Sequence, residues 1–141
     1  MGTETLTKDG VFDLRTPLLK QGLTSDVRAK TDHLTVTIKV YANGGENLMH
    51  SHKNQDHFFV VLAGQAVFHL EREGNMRTLN KYEGVMIPVD MEYKFQSAGD
   101  GNLVMLRAGG MIPGTIGVEK DKSFIPERIE IPGMSFPDDY Q

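Results

Sequence analysis

From residue 25 to residue 108 no stretch sustains a helical period. Short runs of strand-forming residues recur instead, each closed by a turn signal. Leu34, Val36, Ile38 and Val40 alternate with Thr35, Thr37 and Lys39, the two-residue period of a half-buried strand, and Gly44-Gly45 ends the run. LMHSH at 48–52 precedes HFFVVLAG at 57–64. QAVFHLERE follows at once, which predicts a hairpin turn at Ala63-Gly64. Gly74-Asn75 marks a further turn, and MRTLN, GVMIP, EYKFQS and NLVMLRAG read as four more short strands. About eight or nine short, evenly spaced strands imply an antiparallel sandwich or barrel, since an apolar sheet face must be covered by another layer.

The flanks differ from this middle. Residues 1–24 read as an N-terminal arm interrupted by Pro17 and Gly22, with room for one strand or a turn of helix. Residues 25–108 are expected to form this sandwich or barrel. Residues 109–141 carry Pro113, Pro126, Pro132 and Pro137 together with Ile125, Ile129, Ile131 and Phe136. Apolar beads on a proline-rich chain predict an extended arm that packs on its own barrel or on a neighbouring subunit. The expected assembly is a homodimer in which residues of 1–30 or 110–141 contact the neighbour, because a covered sheet edge no longer invites pairing.

Composition removes several classes of function. A chain of 141 residues suits one domain, and 39% hydrophobic with 24% charged residues is not the balance of a disordered chain. The net charge is −4 without a basic stripe, so no nucleic-acid partner is expected. No apolar run approaches membrane-spanning length, and the polar start MGTETLTKDG lacks the apolar core of a secretory signal. A cytoplasmic protein without membrane contact is the expectation. The chain has no cysteine, which excludes thiol nucleophiles, disulfides and thiolate metal ligands.

Four of the five histidines fall between residues 50 and 69. His50 and His52 are two apart, so on a strand both imidazoles face the same way. His57 shares parity with Phe59 and Val61, and if those residues point into the barrel His57 does too. Three imidazoles converging in an apolar cavity suit Zn, Fe, Ni, Cu or Mn. The bland reading is a polar pair at a barrel mouth and a hydrogen-bonded barrel histidine. His69 and His33 fall outside this cluster. Met49, Met86, Met91 and Met105 are scattered over different strands and read as core filling. Lys39 and Arg107 either line the barrel or cap its surface. Glu46 and Asn47 lie in the loop before the histidines.

The spacing around the histidines resembles the first motif of the cupin superfamily: Gly, five residues, His-x-His, three or four residues, Glu, six residues, Gly. Here it reads Gly44, GENLM, His50-Ser51-His52, KNQD, His57, FFVVLA, Gly64, with histidine in place of the glutamate. The second motif, Gly, five residues, Pro-x-Gly, two residues, His, three residues, Asn, is kept only at Pro88. Tyr82 and Asp90 stand at its glycine positions, Tyr93 at its histidine and Ser97 at its asparagine. The resemblance covers roughly residues 30–108 and implies an all-β, cupin-type antiparallel jelly-roll β-barrel in a single domain.

It also implies a metal site of His50, His52, His57 and Tyr93, holding one divalent transition metal (Fe, Zn, Mn, Ni or Cu). Exchanging a carboxylate ligand for an imidazole makes such a site more electropositive and a better host for an anion. Tyr93 either ligates as phenolate or stays neutral and donates a hydrogen bond, and it is the candidate catalytic residue. Asp56 fits the shorter spacing before the motif's acid, but strand parity turns it away from His57. Its expected role is to orient a ligand imidazole from behind. The resemblance thus implies a metal-dependent enzyme acting on a small polar or anionic metabolite by oxygenase, isomerase or lyase chemistry. The alternative is a non-catalytic cupin that binds a small ligand with weak or absent metal.

Overall fold

A computed structural model describes residues 10–71 and 75–111 of the chain. These residues contain nine strands: β1 (Leu23–Lys30), β2 (Leu34–Tyr41), β3 (Gly45–His50), β4 (Gln55–Ala63), β5 (Gln65–Leu70), β6 (Met76–Leu79), β7 (Gly84–Ile87), β8 (Tyr93–Ala98) and β9 (Leu103–Met111). They divide into a five-stranded sheet in the order β1-β2-β9-β4-β7 and a four-stranded sheet in the order β3-β8-β5-β6. All strand pairs are antiparallel. The barrel of the sequence reading is therefore a jelly-roll sandwich of two sheets. No helix among the described residues is long and apolar enough to cross a membrane.

The main core lies between the sheets. Tyr41, Phe59, Val61, Leu103 and Met105 from one sheet meet Ala66, Phe68, Leu70, Tyr93 and Phe95 from the other, all buried. Phe59, Phe68 and Phe95 pack with ring centroids 5.1–5.4 Å apart. Burying side chains of this size contributes about 1.5–3 kcal/mol each. This aromatic cluster is the floor on which the polar site stands.

The alternation in β2 buries more than the half-buried pattern predicts. Ile38 and Val40 are covered on the outer face by Leu14, Leu18 and Leu19 of the preceding segment. That segment, residues 10–22, is irregular, as expected for the arm. Asn102 pins it by accepting a hydrogen bond from Leu19 N at 2.8 Å and donating to Leu19 O at 3.1 Å. The other row of β2, with Thr37, Lys39 and Tyr41, is buried inside the sandwich. The turn at Gly74 and most of the proposed C-terminal arm, residues 112–141, lie outside the described residues.

Gly64 takes φ +81° at the β4–β5 hairpin, where the sequence places a turn. Tyr82 and Asp90 adopt φ +73° and +71° although neither is glycine. These are the two positions where the second motif carries glycine, so the backbone keeps the left-handed geometry after the residue has changed. Tyr82 is exposed, and replacing it removes little packing. Tyr82→Val is expected to lower stability by about 1–2 kcal/mol, because a β-branched side chain clashes in this region, whereas Tyr82→Gly costs nothing comparable. Urea denaturation of the two variants checks this, and equal losses would contradict it.

Candidate functional site

Three local features bring the site together. The β3–β8 register slips between Glu46↔Phe95 and His50↔Tyr93, which sets His50 opposite Tyr93. Asp90 N donates to His52 O at 2.8 Å, tying the segment between β3 and β4 to the turn before β8. His52 is thereby buried beside Tyr93, although it belongs to no strand. β4 adds Gln55 and His57 on its inner face, and β2 and β9 add Lys39 and Arg107.

Tyr93 is the hub. Its hydroxyl lies 3.1 Å from His52 Nε2 and 3.2 Å from His57 Nε2, and it also takes a hydrogen bond from Arg107. A phenol has one proton and two lone pairs, so it donates to one imidazole and accepts from the other and from Arg107. Burial first, and then the Glu46 charge, raise the Tyr93 pKa far above the ordinary phenol value. Burial also pushes His57 down to about 2, helped by Arg107, His52 and His50. His57 is thus a neutral imidazole. Its Nδ1 is buried without a hydrogen-bond partner.

His50 behaves in the opposite way. Its Nδ1 lies 2.8 Å from Leu48 O and its Nε2 lies 3.1 Å from Glu46 Oε1. Both nitrogens face acceptors, the arrangement of an imidazolium. Burial opposes the charge, but the bonds to Glu46 and Leu48 outweigh it and raise the pKa. Glu46 also faces Lys39 Nζ at 3.4 Å and accepts from the Tyr41 hydroxyl at 3.2 Å. Burial works against its charge, yet His50, Lys39 and Tyr41 together hold its carboxyl at about 2.

The family model described as Cupin domain matches residues 37–108, half of the chain. The chain is a cupin. A comparison with curated proteins finds no match. Among solved structures, the conserved SPY1581 protein of unknown function from Streptococcus pyogenes is similar at 15% identity. It has a TM-score of 0.61 over 81% of this chain and 97% of that one. KdgF from Halomonas sp. is similar at 16% identity and TM-score 0.58, over 82% and 99% of the two chains. The cupin domain of Schizosaccharomyces pombe Cnp3 is similar at 15% identity and TM-score 0.59, over 67% and 68%. At such identities the likeness is one of fold.

The cupin motif residues gather, but not as one ligand set. Ring centroids are 5.4 Å apart for His50–His52, 4.6 Å for His52–His57, 4.4 Å for His50–Tyr93 and 5.4 Å for His57–Tyr93. His52 and His57 aim Nε2 at the same oxygen, whereas His50 turns to Glu46. Among the described residues no three His, Cys, Asp or Glu side chains form a ready metal-binding group. Asp56 does not orient an imidazole. It is exposed, and its carboxylate accepts the Val89 N–H at 2.8 Å. The strand parity that turns it away from His57 also takes it out of the pocket.

Glu46, expected to be an ordinary loop residue, is instead part of the site. It lies within β3 and shares parity with Leu48 and His50, the one signal that could have placed it. Lys39 and Arg107, left undecided between interior and surface, line the interior at 3% and 7% exposure.

The donor set can be tested against a metal ion by its spacing. Bonds of ~2.0–2.1 Å in tetrahedral or octahedral geometry leave neighbouring ligand atoms ~2.9–3.4 Å apart. The two Nε2-to-hydroxyl separations of 3.1 and 3.2 Å fall in that range. His57, held neutral, keeps a lone pair for ligation once its proton resides on Nδ1. These two separations are compatible with His52, His57 and Tyr93 as ligands of a small divalent ion, and His50 would join them only by leaving Glu46.

Proposed function

We propose that this cupin is a metal-dependent enzyme acting on a small polar or anionic metabolite by proton-transfer chemistry of the isomerase or lyase type. One observation carries the reading: two buried imidazoles aim Nε2 at one buried phenol hydroxyl. His52, His57 and Tyr93 would hold a single divalent ion of Fe, Zn, Mn, Ni or Cu. Such an ion polarises a substrate oxygen and lowers the pKa of groups bound to it. Tyr93 would give a proton to the bound metabolite, or take one from it, at its hydroxyl, the Nε2 lone pairs of His52 and His57 being committed to the ion. Arg107 and the aromatic floor of Phe59, Phe68 and Phe95 would fix the orientation of Tyr93 and keep water from beneath it.

Metal analysis of protein purified without added metal tests this reading. About one ion per chain is expected in the wild type and none in His52→Ala/His57→Ala, with the β-sheet circular dichroism signal unchanged. His50→Ala is expected to lose less metal than His52→Ala. Full metal content in the double variant would end the reading. A second reading, ligand binding without metal, draws on the pairing of His50 with Glu46 and Leu48, which satisfies that imidazole without an ion. A wild type that takes up no added metal would favour it.

A further inference from the structure

We propose that Lys39 and Arg107 form a subsite for an oxyanion group, a carboxylate or a phosphoryl, carried by the small molecule that enters this pocket. The proposal rests on the reading above in taking the pocket as the ligand site, but it does not need the metal.

Placement is the first argument. Arg107 on β9 pairs with Thr37 on β2, and Lys39 pairs with Met105, so Lys39 and Arg107 are diagonal neighbours on one sheet face. Diagonal neighbours stand about 7–8 Å apart at the backbone, a span over which two long side chains can close on one small anion. Both side chains are more than nine-tenths buried.

Charge balance is the second argument. Among the described residues Lys39 and Arg107 share the field of one carboxylate, Glu46, and burial lowers the pKa of both. That carboxylate is already bonded to His50, Lys39 and the Tyr41 hydroxyl. Among the described residues here, two basic side chains against one carboxylate give a positive balance. Buried charge in excess is costly, and apolar side chains of similar volume would serve the fold as well or better. An anionic ligand supplies the missing charge and accounts for keeping both cations.

Preorganisation is the third. Gln55 Oε1 accepts from Arg107 Nη2 at 3.2 Å, and the guanidinium lies over the Phe59 ring with its carbon 5.9 Å from the centroid. These contacts hold the planar fork that matches carboxylate and phosphoryl oxygens. Little ordering is left for the moment of binding.

The test is calorimetric titration of the full chain after chelator treatment, using succinate, inorganic phosphate and, as an uncharged analogue, succinamide. Succinate or phosphate should bind and succinamide should not, and the tighter of the two anions identifies the group. Lys39→Met and Arg107→Met should each weaken binding by about tenfold or more. Lys53→Met, on the exposed Lys53–Asp90 pair, should change nothing. If Arg107→Met does not fold, Lys39→Met, which leaves Glu46 its bonds to His50 and Tyr41, carries the test. Wild-type affinity in Lys39→Met, equal binding of succinamide, or no anion binding by the wild type overturns the proposal. Metal uptake by the same preparations when a divalent metal is added back after the titration separates the two readings. Anion binding lost in the variants with metal uptake kept supports both, and anion binding by a wild type that takes up no metal overturns the metal reading alone.

Discussion

Acidifying the metal-free protein from pH 7 to pH 5 is expected to lower its folding equilibrium constant by on the order of twentyfold through His57 alone. In the unfolded chain this imidazole takes a proton near 6.5, but in the folded protein burial and the neighbouring cations delay that to about 2. Its stabilising effect is thus complete above pH 6.5, and below it each pH unit costs about a factor of ten. His50 has the opposite sign. Its raised pKa gives a contribution that is full below 6.5 and fades as pH rises through the folded value, so it offsets part of the loss. Glu46, held at about 2 against 4.5 when unfolded, adds a further loss only below pH 4.5. Urea midpoints at pH 7, 6 and 5 in the wild type and His57→Gln measure the effect. The wild type should fall steeply and the variant only slightly. Parallel slopes would mean that His57 is not the neutral buried group described here.

The strands were legible because period-two alternation is local. Leu34–Tyr41 and Gln55–Ala63 form β2 and β4 where the pattern places strands, and Gly44 and Gly64 bound the His motif with φ +74° and +81°. What the alternation could not convey is how many layers cover a sheet. Lys39 lies on the polar row of β2, and a polar row usually faces water. Here the apolar row is covered from outside by Leu14, Leu18 and Leu19, so the polar row faces the second sheet. That covering is a long-range contact between an irregular segment and a strand, which no local period records. The histidine cluster was legible as a spacing, but the direction of each imidazole was not. His50 and His52 share a parity, yet Glu46 on the same strand captures the first, while the turn held by Asp90 delivers the second to Tyr93. Tyr93 facing the pocket followed from its place in the second motif and its alternation with Met91 and Phe95. Its position as the shared partner of two imidazoles and Arg107 is a property of three strands and the segment between β3 and β4 at once.

Gly109→Ala is expected to damage both halves of the site through a single methyl group. Gly109 lies on β9, buried, opposite His57 on β4 and Thr35 on β2. Its backbone is not in the left-handed region, so alanine is conformationally acceptable and the effect is one of space. A Cβ there would collide with Gln55 Oε1 and lie 3.1 Å from His57 Cβ. Gln55 would have to release Arg107, and His57 would shift relative to Tyr93. Overpacking of this kind costs about 1–3 kcal/mol. The loss should appear together with weaker metal uptake and weaker anion binding. Gly109→Ala/Gln55→Ala separates the two consequences. Removing the Gln55 side chain opens the space and should recover much of the stability, so the pair should be strongly non-additive. It should not recover anion affinity, because the amide that holds the Arg107 guanidinium is gone. If Gly109→Ala keeps wild-type stability, metal content and anion affinity, the packing of Gln55 and His57 against β9 is not what positions this site.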